Sequence, residues 1–284
     1  MSDRLEVRKT FKLLANGALV RSESGRSYEV TTAAGDFWAN VAQGSRKDLR
    51  DAVRAAHDAQ RQWWSATAYL RGQVIYRLAE MAESRRTELV EHVGAVEGLL
   101  AAEAAEVVGR GIDTIVWYAG WTDKVAQVLG GSNPVAGPFF NFSVPVPCGV
   151  VGVIAPAASS FEGFVASVLA PIATGNAVVA LASETRPTPA VLLGEMTATA
   201  DFPAGLVNVI TGRLDELAPV LCAHEDVDGV DLEGAGSATG ELATIAARSI
   251  KRVLRPRAVP ESATSTRRLR AFVETSTVWH TVGQ

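Results

Sequence analysis

The side chains able to do chemistry are few and scattered. Cys148 and Cys222 are the nucleophile candidates, and a thiol attacks a carbonyl only as a thiolate with a base and an oxyanion donor beside it. Their settings, just ahead of the first strand of an α/β run and at the end of a helix within it, suit packing instead. His224 with Glu225, Asp226 and Asp228 forms a polar turn that would attract a cation. No paired His or Cys gives transition-metal spacing, so a solvated loop is the expectation. Ser159-Ser160, near a strand end, offers hydroxyl donors or a helix N-cap. His57 and His92 read as surface residues of helices. Trp63, Trp64, Trp117, Tyr118 and Trp121 fall at helical spacing and read as core or subunit contact rather than a ligand cage.

These residues sit on elements that the spacing defines. Residues 11–43 read as short strands punctuated at Asn16-Gly17, Ser24-Gly25 and Gly35-Asp36, the residue pairs that turns require. Behind a Ser45 N-cap, Leu49, Val53, Ala56 and Ala59 recur at helical intervals. Further helices follow over 70–84, 87–101 and 104–128, stopped by Gly130-Gly131 and Pro134. Residues 137–156 read as a β-hairpin arm running into a buried strand at 150–155. Helices at 161–174, 189–199, 214–223 and 238–248 then alternate with strands at 177–182, 206–211 and 229–232. Short apolar strands alternating with helices predict a parallel sheet covered on both faces. The fold class is therefore α/β: a doubly wound, Rossmann-like domain with an N-terminal helical layer and a β arm. The segments are 1–129 (strands and helical layer), 130–149 (hairpin arm), 150–252 (α/β domain), 253–268 (a solvated linker rich in Pro, Ser and Arg) and 269–284. The last alternates as a terminal strand with nowhere local to pair.

Composition narrows the function classes. The chain has 284 residues, 48% hydrophobic and 20% charged, enough to build a large core rather than a disordered state. With 27 Lys+Arg against 31 Asp+Glu, the net charge of −4 leaves no basic excess for a phosphate backbone. Nucleic acid is thus not expected as a partner. Two cysteines cannot form a disulfide framework, and a reduced, cytoplasmic protein is expected. The opening residues MSDRLEVRKTFK lack the apolar core of a signal peptide, and the apolar stretch 164–172 is broken by Pro171 and Gly175, so no membrane span is expected.

Four ordered stretches resemble the aldehyde dehydrogenase superfamily. GPFFNFSVPVPCGVVGVIAP is similar to the family's hairpin and first nucleotide-domain strand, with its E-P-x-G-V-x-G-x-I-x-P. APIATGNAVVALASETRPTPAVLLGEM is similar to the region carrying G-N-x-V-V-x-K-P-S-E, and FPAGLVNVITG to L-P-x-G-V-V-N-V-V-T-G. The closing FVETSTVWHTVG resembles the C-terminal strand of such enzymes. Together they cover 11–250 and 269–284. The resemblance implies a domain for NAD or NADP whose candidate contacts are Pro156, Ser159, Glu184, Gly212, Gly234 and Gly236. It also implies an oligomerisation arm, built from the hairpin and the terminal strand, that pairs with a neighbouring subunit. The alternative is that the tail pairs with its own hairpin.

The departures from the family pattern fall on its chemistry. The family's catalytic domain, with the nucleophilic cysteine, lies between the nucleotide domain and the terminal strand, where this chain has only residues 253–268. The family's P-W-N reads Pro156-Ala157-Ala158, and a methyl group donates no hydrogen bond to an oxyanion. Its E-L-G-G glutamate follows the stretch that here reads Lys251-Arg252-Val253-Leu254-Arg255-Pro256. The lysine of K-P-S-E is replaced by Leu181, while Glu184 keeps an acid able to accept from a ribose hydroxyl. The F-T-G-S turn reads Leu232-Glu233-Gly234-Ala235; Gly234, Gly236 and Gly240 keep a helix start whose amides suit an anion, and Glu233 opposes one. The resulting expectation is a catalytically inactive scaffold or partner subunit, a homo-oligomer or a hetero-oligomer with a full-length aldehyde dehydrogenase. An oxidoreductase with rearranged groups and a dinucleotide-binding sensor are the alternatives. No metal is expected.

Overall fold

The computed structural model describes residues 9–258 and 262–282. Positions 1–8 of the opening stretch, and positions 259–261 and 283–284 of the expected linker and strand, lie outside the described residues. In chain order, β1 (Thr10–Phe11), β2 (Leu13–Ala15), β3 (Ala18–Val20), β4 (Ser27–Thr31) and β5 (Phe37–Ala42) precede the helices α1 (Arg46–Ser65), α2 (Ala68–Ser84), α3 (Arg86–Glu97), α4 (Ala101–Ala119) and α5 (Val125–Leu129). The arm strands β6 (Gly131–Asn133) and β7 (Phe139–Pro147) follow, then β8 (Val150–Ile154), α6 (Glu162–Ala173), β9 (Ala177–Leu181), α7 (Thr188–Thr197), β10 (Val207–Ile210), α8 (Leu214–Ala223) and β11 (Gly229–Asp231). A 3-10 turn at Gly236–Ala238 leads into α9 (Thr239–Ala247), β12 (Arg252–Leu254), α10 (Thr266–Ala271) and β13 (Val273–Thr281).

Local chemistry sets the helices. Ser45 caps α1: its Oγ accepts from the Lys47 and Asp48 amides, both at 3.2 Å, and Asp48 accepts from the Ser45 amide at 2.8 Å. This is a capping box, and it starts the helix whose Leu49, Val53, Ala56, Ala59 and Trp63 are buried. The expected helix over 104–128 is two helices. It breaks after Ala119, where Thr122 is buried and donates to the Ala119 carbonyl at 3.0 Å. A Cβ at Gly72 of α2 would stand 2.8 Å from Thr122 Oγ1, so the close approach of α2 fixes that turn.

The main sheet has the order β12-β11-β8-β9-β10-β2-β3. The five strands from β12 to β10 are parallel, and the β2–β3 hairpin adds antiparallel to the β10 edge. Every residue of β8, β9 and β10 is buried, which is why these strands read as unbroken apolar runs. Helices α6 and α7, backed by α2, α3 and α4, form one layer, and α1, α8 and α9 form the other. Strand β5 joins β1 and β4 in a separate small sheet.

Three expectations change. The terminal strand does have a local partner: β13 pairs antiparallel with β7 from Val273↔Pro147 to Thr281↔Phe139, giving a three-stranded arm with β6. The stretch 253–268 is packed at both ends. Tyr118 donates its hydroxyl to the Ala263 carbonyl at 2.9 Å, Ser265 caps α10, and Arg268 and Leu269 are buried. His92 is not a plain surface residue: its Nδ1 accepts from the Trp38 indole at 3.1 Å, and Phe11 meets its ring edge-on. Burial drives its pKa down to about 4.

Candidate functional site

In an open α/β sheet the binding crevice lies at the carboxyl ends of the strands, where the strand order reverses. Here the chain runs outward from β8 through β9 and β10, then returns across the sheet to β11 on the other side of β8. The reversal therefore lies between β8 and β11. A cleft of about 260 Å³ opens there between α8 and α9, lined by Ile154, Leu214, Ala218, Ala235 and Leu242, with Asp215 and Glu241 on its walls. It is an apolar slot suited to a flat ring system.

The six residues expected to contact a cofactor all follow a parallel strand: Pro156 and Ser159 after β8, Glu184 after β9, Gly212 after β10, Gly234 and Gly236 after β11. Most are held by the protein itself. Ser159 Oγ accepts from the Gly163 amide in the first turn of α6 at 2.8 Å, although the N-cap position itself is Phe161, and a Cβ on Gly163 would stand 2.8 Å from Pro156 Cγ. Ser160 is buried and gives both its amide and its hydroxyl to Glu97, at 2.7 and 2.6 Å. Glu184 accepts from the Leu214 amide at 3.0 Å and pairs with Arg213 at 2.8 Å, so it caps α8. Gly212, at φ +150°, admits the Gly44 backbone at 3.2 Å from where its Cβ would be.

The turn after β11 is the closest backbone approach in the site. The Gly234 amide donates to the Ile154 carbonyl at 2.9 Å, and a Cβ at Gly234 would stand 2.0 Å from the Ala155 oxygen. Its glycine is needed for this contact, and the amide does not face an anion. Gly236, at φ +54°, and Gly240 are open to their surroundings. Glu233 does not stand as a free negative charge: Arg268 of α10 reaches it at 3.3 Å and also pairs with Asp231, which is fully buried. Burial pushes the Asp231 carboxyl up, opposed by the Arg268 guanidinium and the Glu233 amide.

Neither sulfur is placed for attack. Burial drives Cys148 up to about 12, reinforced by Asp228, and its Sγ donates to Asn176 Oδ1 at 3.3 Å. Burial likewise drives Cys222, on α8, up to about 12. Leu181 and Phe161 are buried, and Phe161 packs against Gly111 of α4 rather than into the α8/α9 cleft. Among the described residues, no group of three His, Cys, Asp or Glu could hold a metal. The polar turn after α8 is tied locally, with the Asp226 amide on His224 Nδ1 at 3.2 Å and Asp228 accepting from the Val150 amide at 2.8 Å.

The fit to a dinucleotide divides along this line. The slot between α8 and α9 offers an apolar seat for a base, while the ribose acid and the amide after β11 already have partners inside the chain. Sequence reading missed Asp231, Arg213 and Arg268. A charge inside the apolar strand GVDL was the one available signal, because a buried carboxylate requires a cationic partner.

Comparison with known proteins gives concordant matches. A profile of the Aldehyde dehydrogenase family matches residues 19–255. Aldehyde dehydrogenase, mitochondrial, of Rattus norvegicus is 33% identical over 236 residues, covering 79% of this chain and 44% of that protein. Aldehyde dehydrogenase 1A1 of Gallus gallus is 31% identical over 253 residues, covering 86% and 49%. The NAD+ complex structure of aldehyde dehydrogenase from Bacillus cereus matches with a TM-score of 0.83 at 27% identity, covering 87% of this chain and 50% of that one. The chain spans about half the length of the curated relatives it matches.

Proposed function

Because the chain belongs to the aldehyde dehydrogenase family, we propose that it is a member without thiol acylation chemistry that acts as a partner subunit, assembling through its arm. The observation that carries this reading is the face of the arm sheet. Strand alternation places Phe140, Phe142 and Val144 on one face, with Val278 opposite Phe142. Phe140 is 50% and Val278 37% exposed, and the Phe140 and Phe142 rings lie 5.3 Å apart. A contiguous apolar sheet face with open edges is costly in water and favours association with a matching sheet. The occupant is a second copy or a full-length aldehyde dehydrogenase, whose own arm would offer the same kind of surface.

The loss of acylation is supported by two thiols held protonated, Cys222 buried and Cys148 half-buried, and by Ala158 at the position of the oxyanion donor. Light scattering on the purified chain, alone and mixed with a full-length family member, tests assembly. Oligomers that dissociate on Phe140→Glu or Val278→Glu support it; a monomer at tens of micromolar that also ignores the full-length protein sinks it. NAD(P)H formation above background with an aldehyde panel, persisting in Cys148→Ala/Cys222→Ala, would instead favour rearranged oxidoreductase chemistry.

The α8/α9 cleft supports a second reading, a dinucleotide sensor. In it Ile154, Ala218, Ala235 and Leu242 would seat the adenine of NAD or NADP, with Asp215 or Glu241 at its rim. A bound nicotinamide cofactor would supply hydride transfer in a full-length family member; here the residues described would only bind and orient its adenosine end. Titration calorimetry with NAD and NADP, repeated on Ala218→Trp, separates this sensor from a scaffold that gives no heat.

A further inference from the structure

We propose that the cleft between β1 and the loop joining β3 to β4 binds a small molecule carrying two or more phosphate groups, at a site separate from the α8/α9 slot. This cleft, of about 410 Å³, is lined by Lys12, Arg21 and Arg26, with the hydroxyl residues Thr10 and Ser27 beside them and buried Phe11 in its floor. Among the described residues, no carboxylate lines it.

The loop sorts its charges by sign. Its acid, Glu23, and the neighbouring Asp48 of α1 are turned to the start of α1. Asp48 accepts from Ser22 Oγ at 2.7 Å, from the Glu23 amide at 3.1 Å and from the Ser45 amide at 2.8 Å. Glu23 accepts from Ser45 Oγ at 3.0 Å. Negative charge is favourable at a helix N-terminus, so both acids are engaged there; Asp48 is held through Ser22, which also lines the cleft, but neither carboxylate lines it. Gly25, at φ +67°, closes the turn with its amide on the Ser22 carbonyl at 2.9 Å, and Ser24 Oγ accepts from the Arg26 amide at 3.3 Å. That turn brings Arg21 and Arg26 to the same cleft.

Among the described residues, Lys12, Arg21 and Arg26 have no acidic partner. Three like charges facing one cavity, in a chain of net charge −4, repel one another, and a multivalent anion relieves that repulsion. Two guanidinium forks and an ammonium match phosphate oxygens in geometry as well as charge. The net acidic chain disfavours a long polyanion, which would have to cross its acidic remainder, and so points to a small ligand.

The probe is inorganic pyrophosphate, titrated calorimetrically into the full chain at fixed ionic strength. Saturable binding is expected, with a loss of at least tenfold in Lys12→Gln/Arg21→Gln/Arg26→Gln. It should be retained in Arg54→Gln/Arg61→Gln/Arg257→Gln, which changes net charge equally at exposed positions elsewhere. Circular dichroism and thermal melting establish that each variant is folded. No heat from the unaltered chain, equal loss in both triple variants, or binding abolished by Ala218→Trp yet kept in the first triple variant would each overturn the proposal.

Discussion

The Gly234 amide donates to the Ile154 carbonyl at 2.9 Å, joining the turn after β11 to the end of β8. This contact decides what Gly234→Ala would do. The added methyl would meet the Ala155 oxygen at 2.0 Å, and a backbone atom cannot rotate away as a side chain can. The turn must move, at a cost of about 1–3 kcal/mol or more. A drop in the urea midpoint at unchanged m-value is the expected readout; a variant as stable as the parent would show that the turn is looser than described.

Arg268 is the counter-charge of a carboxylate with no exposure to water. Removing it as Arg268→Met leaves Asp231 buried and unpaired, which costs about 3–5 kcal/mol. The double replacement Asp231→Leu/Arg268→Met removes both charges and should recover much of that loss. A double-mutant cycle read by chemical denaturation checks this, and additivity of the two single effects would contradict the coupling.

Both thiols, pushed up to about 12 by burial, are protonated at neutral pH. Reaction with Ellman's reagent at pH 7.5 should therefore be slow in the native protein for Cys148 and Cys222 alike, and fast in guanidinium. A sulfur that titrates stoichiometrically within seconds under native conditions would contradict the raised thiol pKa values.

His92 gives a pH dependence whose sign is fixed. Its folded value of about 4 lies below the ordinary 6.5, so the unfolded chain takes up a proton that the folded one refuses. The stability this contributes is fully present above pH 6.5 and is lost as the pH falls towards 4. The loss approaches about 3 kcal/mol at ~1.4 kcal/mol per tenfold change in proton affinity. His92→Gln, which keeps an acceptor for the Trp38 indole without titrating, should show a smaller decline over that window. Identical pH profiles of denaturation for the two proteins would remove His92 as the cause.

What the sequence made legible was local. Ser45 stands just ahead of the helical rhythm of Leu49, Val53, Ala56 and Ala59, and an N-cap needs no more than that placement; that Asp48 completes a capping box emerged from the structure. The alternation of apolar strands and helices over residues 150–250 likewise predicts the parallel sheet, because a strand covered on both faces must be apolar throughout. Partners distant in sequence were not legible. The indole that meets His92 comes from Trp38 and Asp231 finds its cation on α10; no periodicity encodes these pairings, whereas the pairing of β13 with β7 is the alternative that the sequence left open for the tail. At the site, the glycine at 234 was visible but its reason was not. A glycine required by a facing carbonyl and one required by an anion look the same in sequence.

The pairing of β13 with β7 has a consequence for how the chain is made. Strand β7 emerges from the ribosome more than a hundred residues before its partner. At ~5–20 residues per second, its open edge waits on the order of ten seconds for closure. Residues 139–147 thus present an unpaired strand edge during synthesis, and mutations that slow translation beyond β12 should lower soluble yield without altering the finished fold.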